Sequence, residues 1–215
     1  MVTDSNKILN VPNQLTLARF VLAIVVFVLL PFGHYLSCLI LFTIAASTDW
    51  VDGYWARKYD QVTKLGRVFD PFVDKVIICG TFILLAADQH QQNFVAAQIG
   101  IAGWMAVIVM GREILVTAIR SHIEQAGGDF SARWSGKWKM VFQCMAAILA
   151  LLAMHLTSGA ENPIEELPHW LFWSLGIFVW LAVATTVYSG AEYVRAAITL
   201  FRADSGSETQ DSSAS

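Results

Sequence analysis

Residues 16–30, TLARFVLAIVVFVLL, carry one charge, Arg19, in a run that approaches the ~20 apolar residues a helix needs to cross a bilayer's hydrocarbon. Similar runs recur at approximately 35–55, 72–87, 96–118, 141–157 and 169–197. Of the 215 residues 56% are hydrophobic and 14% charged, where an ordinary soluble domain has roughly a quarter of its residues charged. The mean hydropathy is +0.54. This composition excludes a soluble enzyme, a secreted disulfide scaffold and a disordered chain. The expected fold is an all-α membrane protein: six transmembrane helices in one bundle.

Polar punctuation separates the runs. Pro31-Phe32-Gly33 breaks the first pair, residues 88–93 read as a polar turn, and Glu161-Asn162-Pro163 opens another. The last run is too long to span upright and is expected to tilt or to project beyond the membrane. Residues 1–203 form one membrane domain, and the Ser-rich stretch 204–215 reads as a disordered polar tail. Residues 10–16 start helically with Asn13 as N-cap. The residues before them form either a short interfacial helix, with Ile8, Leu9 and Val11 as its apolar face, or a frayed terminus. Cys38, Cys79 and Cys144 sit singly inside apolar runs and read as packing residues, with no disulfide or zinc pattern. The polar first 14 residues lack the basic region and cleavage site of a signal peptide.

Net charge is −3, but its distribution is one-sided. With six spans, all 14 lysines and arginines fall on one side: Lys7, Arg19, Arg57, Lys58, Lys64, Arg67, Lys75, Arg112, Arg120, Arg133, Lys137, Lys139, Arg195 and Arg202. The opposite connections hold only Asp88, Glu161, Glu165 and Glu166. The positive-inside rule then places both termini in the cytosol.

Between residues 49 and 74 the chain becomes chemically informative. Asp49, Asp52, Gly53 and Ala56 share a helical face near the cytosolic end of the second span, and Asp70 and Asp74 share a face of the third. The short connection between these spans predicts antiparallel neighbours, so four carboxylates converge at the cytosolic mouth of the bundle. Four like charges at the edge of hydrocarbon need a positive partner. Arg57, Arg67 and Lys75 could neutralise them as a solvated salt-bridge cluster, but that leaves the small Gly53 and Ala56 without a purpose. One or two hard divalent cations on oxygen ligands, Mg²⁺ or Mn²⁺, account for both. Aspartate-held cations beside arginines suit a phosphate-bearing substrate.

The pattern D-x2-D-G-x2-A-R-x8-G-x3-D-x3-D, complete from Asp49 to Asp74, resembles the signature of the CDP-alcohol phosphotransferases. The resemblance implies six transmembrane helices, a homodimer in the cell (inner) membrane and a bound CDP-linked lipid. It also implies a reaction in which an acceptor alcohol displaces CMP from CDP-diacylglycerol. Carried over by position, Asp49, Asp52, Asp70 and Asp74 are the metal ligands. Asp70 and Asp74 are the catalytic pair, with Asp74 the base toward the acceptor hydroxyl. Gly53, Ala56, Arg57 and Gly66 join Asp49 and Asp52 in CDP binding, and Asn13 and Thr16 resemble the segment that closes over the cytidine and pyrophosphate.

Two later stretches bear on the acceptor. Gly111-Arg112-Glu113-Ile114 and Ser131-Ala132-Arg133-Trp134-Ser135-Gly136-Lys137-Trp138-Lys139 resemble segments of the family's bacterial phosphatidylglycerophosphate synthases. They bring Arg112, Lys137 and Lys139 to the cytosolic end, where three cations suit an acceptor with its own phosphate. Glycerol 3-phosphate fits, giving phosphatidylglycerophosphate and CMP; serine or choline would not need three cations. Glu113 either orients Arg112 or binds acceptor hydroxyls. Other acceptors within the family are an inositol phosphate, or phosphatidylglycerol as in a cardiolipin synthase. A transporter with an acidic ion site is the remote alternative, since its carboxylates would sit near the midplane on several helices. His34, His90, His122, His155 and His169 read as non-catalytic. Trp104, Trp170, Trp173 and Trp180 read as interfacial anchors or packing residues.

Overall fold

A computed structural model of the chain describes residues 11–59, 64–125 and 134–211. The described residues are helical, with no strand among them. The long helices are α1 (Val11–Leu29), α2 (Tyr35–Tyr59), α3 (Lys64–Ala87), α5 (Gly103–Gln125), α6 (Trp134–Leu156) and α8 (His169–Asp211). Short helices α4 (Gln89–Ala96) and α7 (Pro163–Glu166) cross between them. A 3-10 turn at Leu30–Phe32, built on Pro31 and closed by Gly33 at φ 75°, returns the chain from α1 to α2.

The long helices pack in a closed order: α1 on α3, α3 on α5, α5 on α8, α8 on α6, α6 on α2, and α2 back on α1. Burial follows this ring. Ala23 and Val26 of α1, Phe42 and Ala45 of α2, Phe82 and Leu85 of α3, and Leu175 of α8 are fully enclosed. Without a hydrophobic drive between helices in lipid, close approach has to come from small residues. Ala146, Ala147, Ala150 and Ala153 of α6 are all buried, as is Ala182 of α8, the helix on which α6 packs. Gly80 does the same for α3 and α1: a Cβ there would lie 2.2 Å from the Phe27 ring. Outward-facing Leu17, Val21, Ile24 and Val28 remain exposed, as a lipid-facing surface requires.

Among the described residues three segments are long and apolar enough to cross a membrane: Asn13–Phe32, Trp138–Leu156 and His169–Thr199. Tyr35–Thr48 is a shorter apolar stretch. Charges set α3 and α5 apart from these: Asp70, Asp74 and Lys75 in one, Arg112, Glu113 and Arg120 in the other.

Several expectations change. Val11 and Pro12 are already helical, so Asn13 lies inside α1 and is not its N-cap. Residues 1–10, where the interfacial helix was expected, lie outside the described residues. The polar turn at 88–93 is mostly the helix α4: the Asp88 side chain accepts from the His90 N–H, and Gln91 and Phe94 turn inward. That helix ends with Gln98 at φ 61° and the amides of Ile99 and Gly100 on the Phe94 carbonyl, which delays α5 to Gly103. Helix α8 runs 43 residues to Asp211, through most of the stretch read as a disordered tail, since no proline interrupts it. At ~1.5 Å per residue it is roughly twice as long as a ~30 Å hydrocarbon layer is thick. Among the described residues the packing partners of α2 are α1 and α6, and α1 packs on α3 as well.

Candidate active site

Helix α3 enters the bundle with Asp70 and Asp74 one turn apart, and Pro71 between them omits one backbone hydrogen bond of the helix. Both carboxylates turn to α1. The Thr16 hydroxyl donates to Asp70 Oδ1. The Arg19 guanidinium donates to Asp74 Oδ1 at 2.7 Å. Thr16 and Arg19 stand three residues apart, hence on one face of α1, and are 3% and 1% exposed. Arginine is costly inside hydrocarbon unless paired, so this contact is the condition for Arg19 to sit there.

A second polar cluster lies beside the first, between α3, α5, α6 and α8. Glu113 Oε1 accepts from both Arg112, at 3.1 Å, and Lys139. All three side chains are at most a tenth exposed. Arg112 also donates to the Ser189 hydroxyl and lies over the Tyr193 ring, 5.3 Å from its centroid. Arg120 reaches the Tyr193 hydroxyl at 3.5 Å. Lys75, next to Asp74 in sequence, donates to Thr117, which itself donates to the Glu113 carbonyl. Lys75 therefore joins the aspartate pair to the cationic cluster. Gln143 and Thr186, hydrogen bonded at 2.9 Å and buried, lie on α6 and α8 one turn further into the bundle from Lys139 and Ser189.

These contacts all draw on the same ends of the helices: the starts of α1, α3 and α6 and the later parts of α5 and α8. The opposite end has its own polar clip, in which the Tyr35 hydroxyl meets Asp88 at 3.2 Å and His90 Nε2 meets Thr157 Oγ1 at 2.9 Å. Carboxylates held by a hydroxyl and a guanidinium, next to a cation-rich polar cluster at one end of an apolar bundle, form a site suited to phosphate chemistry at a membrane face.

The profile of the CDP-alcohol phosphatidyltransferases matches residues 9–188. The chain belongs to this family. It is 34% identical to a protein of Bacillus subtilis (strain 168) over 199 residues, covering 86% of this chain and 93% of that one. It is 32% identical to a protein of Pseudomonas fluorescens, over 88% of this chain and 90% of the relative. With a protein of Haemophilus influenzae it shares 34% identity over 64% of this chain and 72% of the relative. All three relatives are named CDP-diacylglycerol–glycerol-3-phosphate 3-phosphatidyltransferase.

Within the family's signature, Asp70 and Asp74 are the two aspartates whose side chains the structure describes. Asp49, Asp52, Gly53, Ala56 and Arg57 lie in the last turns of α2 and Gly66 in the first of α3, with side chains outside the described residues. Among the described residues no three histidine, cysteine, aspartate or glutamate side chains come together as a metal site. The donor set of the signature is all carboxylate oxygen, which fits a hard divalent cation. Thr16 is brought to Asp70, and half-buried Asn13 precedes it by a turn. Arg112 and Lys139 are brought together through Glu113, so its carboxylate orients cations; Lys137 lies outside the described side chains.

Sequence reasoning counted Arg19 only as a topology marker and Arg120 as an ordinary positive-inside residue. The signal for Arg19 was present: a lone arginine within an apolar run, one turn after Thr16. Ser189 and Tyr193 gave no signal, because nothing in an apolar helix marks the face that will meet an arginine.

Proposed function

We propose that the chain transfers the phosphatidyl group of CDP-diacylglycerol to glycerol 3-phosphate, releasing CMP and phosphatidylglycerophosphate. The observation that supports the acceptor is the polar cluster between α3, α5, α6 and α8. Arg112, Arg120, Lys75 and Lys139 gather there, and Glu113 is the carboxylate that pairs with two of them. Such a concentration of cations calls for an anion, and a phosphomonoester supplies one. The Gly111-Arg112-Glu113 and Gly136-Lys137-Trp138-Lys139 stretches contribute to this cluster, as they would in an enzyme whose acceptor carries its own phosphate.

In the reaction the acceptor hydroxyl oxygen attacks the phosphorus that bears the diacylglycerol. The bond from that phosphorus to the bridging oxygen breaks, and CMP leaves with the electron pair. Asp74 takes the hydroxyl proton, and Arg19 orients its carboxylate from α1. Thr16 fixes Asp70 in the same way. Asn13, Gly53, Ala56, Arg57 and Gly66 line the donor's cytidine and pyrophosphate. Arg112, Lys137 and Lys139 hold the acceptor phosphate, so that the attacking oxygen is presented and not merely bound. Divalent cations, which the family generally uses, here Mg²⁺ or Mn²⁺ on Asp49, Asp52, Asp70 and Asp74, would supply neutralisation of the pyrophosphate charge.

The same reading carries six membrane spans, with the charged portions of α3 and α5 at the cytosolic end. It also carries a homodimer in the inner membrane with both termini and the site in the cytosol. Its test is CMP release from CDP-diacylglycerol by the purified full-length chain, with a panel of glycerol 3-phosphate, inositol phosphate, phosphatidylglycerol and serine. Release that depends on glycerol 3-phosphate and stops on chelation is expected. Release driven by another acceptor would overturn the assignment.

A further inference from the structure

The proposed acceptor site has a wall that the signature does not supply. Helix α8 meets it with Ser189, fully buried, and Tyr193, 2% exposed. Ser189 accepts from one terminal nitrogen of Arg112, the Tyr193 ring lies beneath the same guanidinium, and the Tyr193 hydroxyl accepts from Arg120. One tyrosine thus braces two arginines that lie two turns apart on α5. Gly190 of α8 lets Arg112 pack close: a Cβ there would come within 3.3 Å of the Arg112 side chain.

Each guanidinium is held at its terminal nitrogens while its Nε is buried without a hydrogen-bond partner. A buried N–H without a partner is uncommon in folded proteins. Two of them on neighbouring arginines mark where a multivalent acceptor of hydrogen bonds would complete the site.

We propose that Ser189 and Tyr193 are positioning residues for the acceptor: from the last helix they set Arg112 and Arg120 in the orientation that receives the phosphate of glycerol 3-phosphate. The inference rests on the proposed acceptor, but its test separates the two. Full-length S189A, Y193F and Y193L are compared with the wild type in CMP release, titrating glycerol 3-phosphate and CDP-diacylglycerol in turn. S189A and Y193F each remove one hydroxyl and leave the packing nearly intact; Y193L also removes the aromatic face beneath Arg112. The KM for glycerol 3-phosphate should rise about three- to tenfold in S189A and Y193F and further in Y193L, with the KM for CDP-diacylglycerol within about twofold of wild type. The apparent Ki of inorganic phosphate against glycerol 3-phosphate should rise in proportion.

An unchanged KM for glycerol 3-phosphate in both S189A and Y193F overturns the proposal. So does an equal rise in both substrates' KM, which is the mark of a merely structural role. If Y193L does not fold, the two single-hydroxyl variants decide. If the wild type uses a different acceptor, the glycerol 3-phosphate reading fails by itself, and Ser189 and Tyr193 are judged by the KM of the acceptor actually used.

Discussion

Replacing Arg19 by methionine removes the guanidinium that holds Asp74 and keeps most of the side-chain volume in α1. The pair is 2.7 Å long, with Arg19 almost wholly enclosed and Asp74 24% exposed. Removing one partner of a buried pair typically costs ~3–5 kcal/mol, because the other charge is left without compensation. Water reaching Asp74 screens part of this, so a loss of ~2–3 kcal/mol in stability is the reasoned figure. The catalytic effect should be larger than the structural one. A base displaced by about 1 Å from its productive position loses on the order of a hundredfold in rate, and Arg19→Met should lower kcat/KM by about that factor. Arg19→Lys keeps the charge but loses the planar fork and should fall between Arg19→Met and the wild type. CMP release measures the first effect and thermal unfolding in detergent the second. Unfolding of Arg19→Met, Asp74→Asn and the double variant closes a cycle: if the two residues act as a pair, the double variant loses less than the sum of the singles. Turnover of Arg19→Met within threefold of wild type, with additive stability losses, would show that Arg19 is only a topology marker.

Three further outcomes follow from the same geometry. Asp70→Asn or Asp49→Asn should abolish turnover while the protein remains inserted and folded, since each lowers the charge of the carboxylate set without adding bulk; near-normal activity in either would refute their assignment as ligands. Arg112→Ala, Lys137→Ala and Lys139→Ala should each raise the KM for glycerol 3-phosphate by roughly ten- to a hundredfold, from ~1.5–3 kcal/mol per charge-assisted contact. A loss confined to CDP-diacylglycerol would move these cations to the donor site. A cysteine at position 92, on the exposed face of α4, should be labelled from outside intact cells by an impermeant reagent; protection there and labelling at the opposite end would invert the topology.

What could be read ahead of the structure was whatever depends on local spacing. Each apolar run fell on one long helix, because length and hydropathy are properties of one segment, but several helices extend well past their runs, α3 from Lys64 and α8 to Asp211. Asp70 and Asp74 were expected on one face from their i, i+4 spacing alone, and both turn to α1. Pairings between distant segments were not legible. The short connection between α2 and α3 suggested adjacency, but the packing partners of the described part of α2 are α1 and α6, which no loop length specifies. The segment around Asp88 looked like a turn because its residues are polar; that Gln91 and Phe94 would be buried depends on what α4 lies against. Tyr193 was invisible for the same reason. Its importance comes from Arg112 and Arg120, more than 70 residues away in sequence.

The charges that set α3 and α5 apart from the apolar spans are the residues of the site, and this is a consequence of the chemistry. A phosphate-handling centre at a membrane face has to place aspartates and arginines where hydrocarbon begins, and each costs a few kcal/mol there unless compensated. The fold compensates most of them internally. Arg19 takes Asp74, and Glu113 takes Arg112 and Lys139. Full compensation would stabilise the bundle further but leave nothing to attract a substrate. A second carboxylate opposite Arg112 and Arg120 would satisfy their buried Nε groups and occupy the place proposed for the acceptor phosphate. Those Nε groups of α5 are where the proposed acceptor's negative charge would be received.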